Sequence, residues 1–483
     1  MLASSLYDTD SLALDRLKEL LYQGRNVLIH SFGGSGKSFL VKQFVAECAG
    51  KFMGGLVCHV ALTGVASLGI SVPGFPASTL HRWAGIGLGD GTREELLKKI
   101  LTSEKGDSEE SAAGRWKLVK VLIIDEVSML GLVLFDKLEF LAKVLRKSGK
   151  PFGEIQLVLT GDFLQLPPVK DRFCFESQKW AQLNLVPLVL KNPQRFTDLT
   201  FFECLMAARQ GALSKDQIVK FQARVKLAYP SDSEILPTIL YSKKKDVASY
   251  NLQELEKLSS LEKSFKSIDE VLFKKKKNAK PIPLKQYFSS KRGDANLRFC
   301  LETLQGVAPE LLILKEGAQV MLKANIDLHA GLANGSRGVV IGFEADGVLV
   351  RFKNEVEFKV VPISWEYADG DVVLIRQQIP LILAWALTVH STQGCTLDSA
   401  IVDVSHEIFD SGQAYVALSR VRSFEGLYLS SFVYKKVYAN KKALEYVLQI
   451  EEEFDSTPQN FYTREVYRSL FDQVIEEIPL ASP

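Results

Sequence analysis

The stretch of residues 26–39, NVLIHSFGGSGKSF, constrains the fold of this chain more than any other part of the sequence. Val27–His30 is a short apolar run typical of a strand, and it leads into a turn made of Gly33, Gly34, Ser35 and Gly36. Lys37 and Ser38 then open a segment whose apolar residues recur at helical spacing. A strand, a glycine turn and a helix beginning with Lys-Ser form the arrangement of a phosphate-binding loop.

The chemistry of such a loop follows from its backbone. Peptide N–H groups of the turn and the positive end of the helix dipole surround phosphate oxygens. Lys37 is then expected to reach the β- and γ-phosphates, and the Ser38 hydroxyl to ligate Mg²⁺. Ser31 stands where the usual pattern begins with glycine, and the glycines after it leave the turn enough freedom. The alternative is a glycine-rich connection that binds nothing, and the strand and helix around it favour the site.

A second apolar run, residues 120–124, leads directly into Asp125 and Glu126. In a phosphate-loop protein, Asp125 would hold Mg²⁺ through water and Glu126 would orient the attacking water. Strands alternate with helices along this part of the chain, and polar residues gather at the strand ends. The pattern predicts an α/β fold with a parallel sheet.

Length and charge limit the remaining possibilities. A chain of 483 residues is too long to fold around one hydrophobic core, so two to four domains are predicted. Residues 243–300 carry 15 lysines and arginines against 7 acids, whereas residues 451–483 carry 8 acids against 2 bases. This distribution predicts an anionic partner near the middle of the chain, although the four lysines at 274–277 alone are equally well explained as a solvated loop.

The lack of a recognisable secretory or transit signal and the usage of cysteine predict an intracellular protein. No run of about 18 apolar residues is present, so no membrane span is expected. Asp8, Asp10 and Asp15 precede any cationic segment, unlike a secretory or transit peptide. The six cysteines form no CxxC pair, which excludes a familiar zinc framework and suits a reducing compartment such as the cytoplasm or a nucleus.

Changes in hydrophobic pattern and composition divide the chain into several predicted segments. A first α/β unit covers residues 1–187, with a polar, glycine-punctuated insertion near 86–116. A second α/β unit covers residues 188–325 and 377–450. Short alternating runs between them predict a small antiparallel β-module at 326–376, and residues 451–483 form an acidic tail.

Longer motifs reveal a family. VLIIDEVSM at 121–129, PFGEIQLVLTGDFLQLPPV at 151–169, QIPLILAWALTVHSTQGCTLDSA at 378–400 and GQAYVALSRVRSFEGL at 412–427 occur in this order. In order and spacing they resemble the Pif family of DNA helicases, relatives of the RecD-like proteins of superfamily one, over about residues 27–427. The resemblance implies two RecA-like P-loop lobes, with a small wedge insertion in lobe one and an SH3-like β-module inserted in lobe two.

The resemblance also implies roles for nucleotide-contacting residues. Gln165 matches the glutamine that senses the γ-phosphate, and Arg420 matches an arginine that reaches it from the second lobe. Arg195 matches a further arginine, although the family more often has Arg-Gln where this chain has Gln194-Arg195. The predicted catalytic residues are Lys37, Asp125, Glu126, Gln165, Arg195 and Arg420. The predicted nucleotide-binding residues are Gly33, Gly34, Ser35, Gly36, Lys37, Ser38, Gln165, Arg195, Gly412 and Arg420, and the predicted metal ligands are Ser38 and Asp125.

Contacts to DNA are implied in the same way. The matched positions are Thr63, Gly64, Thr79, His81, Asn334, Gly335, Arg337, Thr388, His390 and Gln393. Hydroxyls, backbone amides and imidazoles at loop ends suit sequence-independent contacts to phosphates. His81 and His390 have a structural alternative as internally bonded histidines. The family's adenine-reading glutamine has no counterpart here, so the base preference stays open.

Together these matches imply an ATP- and Mg²⁺-dependent DNA helicase. It would translocate 5′ to 3′ on single-stranded DNA and unwind duplex, forked or folded DNA, and such motors can work as monomers. Two alternatives remain at this stage: an RNA-directed or nucleic-acid-stimulated ATPase without strand separation, and a non-enzymatic binding module whose phosphate loop is structural.

Overall fold

The computed structural model divides the chain into two compact units. It describes residues 4–49, 56–72, 75–87, 89–102, 111–229, 234–273, 280–290, 301–302, 304–305, 307–327, 330–369, 372–392, 395–406 and 408–456. Unit 1 comprises Met1–Gln194 together with Lys441–Pro483, and unit 2 comprises Arg195–Asn440. Unit 1 thus ends at residue 194, whereas the predicted first lobe ends at 187, and the helix Lys441–Ser456 lies in unit 1.

Unit 1 is built on a six-stranded sheet in the order β3-β2-β4-β5-β1-β6. Its strands are β1 (Val27–His30), β2 (Val57–Ala61), β3 (Ser78–Thr79), β4 (Val121–Asp125), β5 (Gln156–Gly161) and β6 (Val186–Val189). All of its strand pairs are parallel. The four residues of β1 are buried, as expected for a parallel strand covered on both faces. The predicted parallel α/β fold is confirmed.

Helices cover this sheet. Those of unit 1 are Ser4–Tyr22, Lys37–Ala49, Gly64–Ile70, Leu80–Trp83, Arg93–Leu101, Ala112–Leu118, Leu132–Arg146, Gln178–Ala181 and Lys441–Ser456. Leu17, Leu20, Phe44 and Val45 from the first two helices pack on Ile29 of β1 in one apolar cluster. This packing fixes the helix that begins at Lys37 against the strand that precedes the phosphate loop.

The predicted insertion at 86–116 contains both a surface helix and a piece of the core. Arg93–Leu101 begins with a capping box, in which Thr92 and Glu95 bond each other's backbone N–H groups. Trp116, by contrast, is fully buried, and its ring lies 4.6 Å from that of Trp83. The last residues of the predicted insertion therefore belong to the core of unit 1.

Unit 2 contains a four-stranded parallel sheet in the order β19-β7-β20-β21. These strands are β7 (Thr238–Tyr241), β19 (Ala386–Thr388), β20 (Ala400–Val404) and β21 (Leu427–Phe432). The helices of this unit include Leu199–Gln210, Lys215–Gln222, Lys244–Glu256, Leu284–Ser290 and Gln413–Leu418.

The antiparallel part of unit 2 is larger than predicted. One sheet has the order β15-β14-β13-β12-β18, another β10-β9-β17-β16, and β11 pairs with β8. The strands are β8 (Lys263–Lys266), β9 (Ile268–Phe273), β10 (Ile282–Pro283), β11 (Leu311–Leu314), β12 (Gln319–Leu322), β13 (Arg337–Phe343), β14 (Val348–Phe352), β15 (Glu357–Val360), β16 (Ile363–Asp369), β17 (Val372–Gln378) and β18 (Leu381–Leu383).

Antiparallel pairing in unit 2 extends on both sides of the limits of 326–376 that were predicted for the β-module. β9 pairs with β17 about a hundred residues later, and β12 pairs with β18. Local alternation does not reveal such distant pairing, because the partner strand is remote in sequence. The lysines at 274–277 lie outside the described residues.

Candidate functional site

The loop between β1 and the helix Lys37–Ala49 has the conformation that its glycines predict. Gly34 and Gly36 have φ values of +90° and +98°, which side chains with a Cβ rarely adopt. The buried Ser35 hydroxyl donates to the Phe32 carbonyl at 3.0 Å. The backbone is thus turned tightly between the end of a central strand and the N-terminus of a helix.

Ser31 is accommodated at the position where glycine is usual. Its side chain is buried, and its hydroxyl donates to the carbonyl of Leu190, which follows β6. Its backbone N–H faces the Gly161 carbonyl at 3.4 Å. The extra hydroxyl therefore has a carbonyl partner and is not left unsatisfied in the interior.

Lys37 is held against the loop that it is predicted to serve. Its Nζ donates to the carbonyls of Ser31 at 2.7 Å and Phe32 at 2.8 Å. The same ammonium acts on the Asp125 carboxyl and favours its charged form. The predicted phosphate-binding cation and the predicted acidic residue are consequently neighbours.

Asp125 ends β4 in a buried position. Burial raises the pKa of its carboxyl, while a hydrogen bond from the Glu126 N–H at 2.9 Å, the Lys37 charge and the Thr160 hydroxyl at 3.2 Å lower it. Glu126 has a left-handed backbone conformation with φ of +58°. The chain therefore turns sharply immediately after the acidic pair.

Gln165 lies in the loop that follows β5. Its backbone N–H donates to the Asp162 carbonyl at 2.9 Å, and its Nε2 lies 3.4 Å from Asp162 Oδ2. Because β4, β5 and β1 are consecutive in a parallel sheet, their carboxyl ends meet at one edge. The fold thus brings together the loops that carry Lys37, Asp125 and Gln165.

The donor set at this edge fits Mg²⁺ chemically. The Ser38 hydroxyl is exposed at the start of its helix, and Asp125 supplies a carboxylate. Hydroxyl and carboxylate oxygens are the hard ligands that Mg²⁺ prefers, usually with several waters retained. Among the described residues, no cluster of three or more His, Cys, Asp or Glu side chains occurs that could hold a metal ion.

The two predicted arginines of unit 2 lie side by side. Arg420 is buried, and its guanidinium donates to the Val416 carbonyl at 2.7 Å, the Thr392 carbonyl at 3.1 Å and the Ser419 hydroxyl at 2.7 Å. Arg195 donates to the Ser419 carbonyl at 3.0 Å. Burial, together with the charge of Arg420, lowers the pKa of Arg195 to about 9.

Gly412 and Gln194 lie close in sequence to these two arginines. Gly412 has φ of +73° and precedes the helix Gln413–Leu418, whose Val416 carbonyl binds Arg420. Gln194 donates its backbone N–H to the Gly34 carbonyl at 2.9 Å, so it contacts the phosphate loop. No role was predicted for Gln194, and the signal that could have revealed its contact was its position directly before Arg195.

The predicted DNA contacts of unit 1 follow two adjacent strands. β2 and β3 are parallel neighbours, and Thr63–Gly64 and Thr79–His81 come at their carboxyl ends. The Thr63 hydroxyl accepts a hydrogen bond from Ala66 at 3.1 Å, at the start of a helix. Thr79 is 1% exposed, and its hydroxyl has no hydrogen-bond partner among the described residues. Burial lowers the pKa of His81, and nearby Asp90 opposes this effect.

In unit 2, Thr388 ends β19 and is tied to Ser391. The Ser391 N–H donates to the Thr388 hydroxyl at 3.1 Å, and the Ser391 hydroxyl donates to the Thr388 carbonyl at 2.8 Å. Ser391 thereby closes the turn that follows β19. The His390 side chain and the whole of Gln393 lie outside the described residues.

Asn334 and Gly335 form a turn against the segment after residue 394. The Asn334 N–H donates to the Asn325 side chain at 2.8 Å. Gly335 has φ of +102°, and a Cβ there would lie 2.6 Å from the Thr396 carbonyl oxygen. Only glycine fits this approach of two backbones.

The structure corrects the prediction for Arg337. Its guanidinium is fully buried and donates to the Leu236 carbonyl at 2.6 Å, the Thr238 hydroxyl at 3.3 Å and the Ser399 hydroxyl at 2.7 Å. Burial lowers the pKa of Arg337 to about 10. A cation enclosed in this way joins the two sheets of unit 2 and offers nothing to a DNA phosphate.

Fold and site together define a P-loop nucleotide-binding protein, and comparison with known proteins specifies it further. A family model described as PIF1-like helicase matches residues 13–216, and one for the 2B domain of DNA helicase Pif1 matches residues 302–343. The ATP-dependent DNA helicase PIF1 of Danio rerio is 36% identical over 441 residues, which cover 89% of this chain and 62% of that protein. The chain therefore spans less than two thirds of the length of that relative.

Solved structures agree with this result. The Pif1 helicase from Candida albicans is 33% identical with a TM-score of 0.66, and the match covers 91% of this chain and 98% of that one. Pif1 from Bacteroides, in complex with ADP-AlF3 and single-stranded DNA, is 26% identical with a TM-score of 0.57, over 93% and 98% of the two chains. The chain belongs to the Pif1-like helicase family, which confirms the resemblance read from its motifs.

Within the ranges given above, no helix combines the length and the apolar character that crossing a bilayer demands.

Proposed function

We propose that this protein is an ATP-dependent DNA helicase. The observation that carries the proposal is the single sheet edge at which the loops of Lys37, Asp125 and Gln165 meet, in a chain of the Pif1-like helicase family. Such an edge holds the phosphates of a nucleotide, and the adjoining carboxylates serve the hydrolysis of its last phosphoanhydride bond.

Binding begins with the loop. Its N–H groups and the N-terminus of the helix Lys37–Ala49 face the phosphates, and Lys37 leaves the Ser31 and Phe32 carbonyls to bind their oxygens. Ser38 and Asp125 would hold Mg²⁺, which when bound neutralises charge on the phosphates. Burial raises the pKa of Asp125 and disfavours its ionised form, whereas the Lys37 charge favours that form, as a bound cation also would.

Hydrolysis then requires a positioned water and stabilised negative charge. We assign the orientation of the water to Glu126 and the sensing of the γ-phosphate to Gln165. Arg420 and Arg195 of unit 2 supply positive charge to the transferring phosphoryl group. In this role Arg420 exchanges one of its bonds to Val416, Thr392 or Ser419 for a phosphate oxygen.

The nucleic-acid part of the proposal rests on the relatives. The Bacteroides protein is described in complex with single-stranded DNA. We assign DNA contacts here to the carboxyl ends of strands in both units and to the turn before β13. We further propose that the protein translocates from 5′ to 3′ by one nucleotide per cycle and unwinds duplex or folded DNA. The residues involved are Thr63, Gly64, Thr79, His81, Asn334, Gly335, Thr388, His390 and Gln393.

The decisive experiment measures ATP hydrolysis with and without single-stranded DNA, for the wild type and Lys37→Ala. We expect stimulation by DNA that the variant loses, with kcat falling by about 100-fold or more. Duplexes with a 5′ or a 3′ single-stranded tail then test direction, and only the 5′-tailed substrate should be unwound. Hydrolysis indifferent to DNA, or stimulated by RNA alone, would refute the proposal.

Strand separation is tested separately from hydrolysis. Removal of residues 86–116 would delete the buried Trp116 and damage the core. Replacing residues 92–110 by a short glycine-serine linker spares Trp116 and removes the helix Arg93–Leu101. We expect this variant to hydrolyse ATP with DNA but not to unwind. Equal unwinding by both chains would show that this segment is not a wedge.

A further inference from the structure

The helix Lys441–Ser456 returns the chain to unit 1 directly after unit 2 ends. Its inner face is buried through Ala443, Val447 and Ile450, and it packs on β6. Ion pairs join Lys442 to Glu176 and Lys191 to Asp455. The helix is therefore an integral part of unit 1, although the sequence alone assigned it to the second lobe and the tail.

Tyr446 is the aromatic anchor of this helix. Its ring stacks on Phe175 with centroids 4.2 Å apart and meets the Phe163 ring edge-on at 5.4 Å. Its hydroxyl accepts a hydrogen bond from Trp180 Nε1 at 2.7 Å. Burial raises the pKa of the hydroxyl, so the side chain stays neutral. Ring contacts of this kind are specific in geometry and resist displacement.

Phe163 connects this anchor to the nucleotide site. It is 1% exposed and lies in the loop between Asp162 and Gln165. Its ring also stacks against His30, at 6.4 Å and with 12° between the planes. His30 ends β1 immediately before the phosphate loop, and its Nε2 lies 3.8 Å from Glu451 of the same C-terminal helix. The C-terminal helix thus contacts His30, which precedes the phosphate loop, and Phe163, which lies in the loop that carries Gln165.

We propose that Tyr446 is a positioning residue for nucleotide hydrolysis, acting through Phe163 on the loop that carries Gln165. The inference rests on the proposed function and deepens it. The close-packed rings leave Phe163 one position, and Gln165 follows only two residues later. A displacement of about 1 Å at a catalytic group can lower a rate by about 100-fold. Within the described part of the chain, the ring contacts and the hydrogen bond of Tyr446 go to Phe163, Phe175 and Trp180, which are not predicted phosphate-site residues.

The test compares three substitutions in the full chain. Tyr446→Leu removes the ring, Tyr446→Phe keeps the ring and loses the hydroxyl, and Leu448→Ala alters an exposed position on the same helix. The measurement is kcat and KM for ATP at saturating single-stranded DNA, per folded molecule as determined by circular dichroism. We expect Tyr446→Leu to lower kcat about tenfold with KM changed less than about threefold, and the other two variants to match the wild type.

The outcomes separate this inference from the proposed function. If DNA does not stimulate ATP hydrolysis by the wild type, both the proposed function and the positioning role of Tyr446 are refuted. If DNA stimulates the wild type but kcat is unchanged in folded Tyr446→Leu, only the positioning role is overturned. The same holds if Tyr446→Phe loses as much kcat as Tyr446→Leu. If Tyr446→Leu does not fold, Phe175→Leu removes the stacked partner from a half-buried position, and the same fall in kcat at unchanged KM is required.

Discussion

His59 makes the stability of unit 1 depend on pH. It lies in β2, is 7% exposed, and its Nε2 has no hydrogen-bond partner among the described residues. Burial lowers the pKa of His59 from 6.5 to about 4, against an opposing hydrogen bond with the backbone of Phe75. The neutral imidazole is therefore strongly preferred in the folded sheet, beside the strand that ends in Asp125.

The size and sign of the effect follow from linkage. Between the folded and unfolded pKa values, the unfolded chain binds more protons, so the free energy of unfolding rises with pH in this window. Stability is fully present above about pH 6.5 and is lost as pH falls toward 4. Between pH 7 and pH 5, this one histidine removes about 2 kcal/mol.

The assay is urea denaturation at pH 7 and pH 5, with wild type and His59→Leu. Hydrogen exchange of peptides covering residues 56–62 assigns the change to unit 1. Other titrating groups act equally on both chains, so the variant should lose about 2 kcal/mol less than the wild type. Equal losses in the two chains would refute the reasoning that burial of His59 controls this pH dependence.

Two further predictions address single residues. Arg337→Met should lower the free energy of unfolding of unit 2 by about 3 kcal/mol, because buried acceptors at Leu236, Thr238 and Ser399 lose their donor. Urea titrations measure this loss; unchanged stability together with weaker DNA binding would contradict the prediction. Glu126→Gln should leave nucleotide affinity within about threefold while lowering kcat by about 100-fold, since the amide is a poor proton acceptor; kinetics equal to the wild type would point to a phosphate loop that is only structural.

Local sequence patterns were sufficient to predict the nucleotide-binding loops of this protein. The phosphate loop, the acidic pair and the glutamine loop are local patterns, in which strand, turn and side-chain chemistry are encoded within a dozen residues. Because each follows a strand of one parallel sheet, their convergence was also predictable, and the fold brings them to one edge. The family assignment rested on motifs of the same local kind, and the comparisons confirm it.

Features that depend on contacts between distant parts of the chain could be read only from the folded protein. Arg337 lies in a turn motif that suggested DNA contact, yet its guanidinium is enclosed by residues that are 62 and 101 positions away in sequence. The limits of the β-module depend on β9 pairing with β17, and local alternation does not specify a partner. The C-terminal helix has an amphipathic pattern that shows a buried face but not the surface that buries it. Burial and pairing are properties of the assembled chain, because desolvation and packing depend on whichever residues the fold brings near.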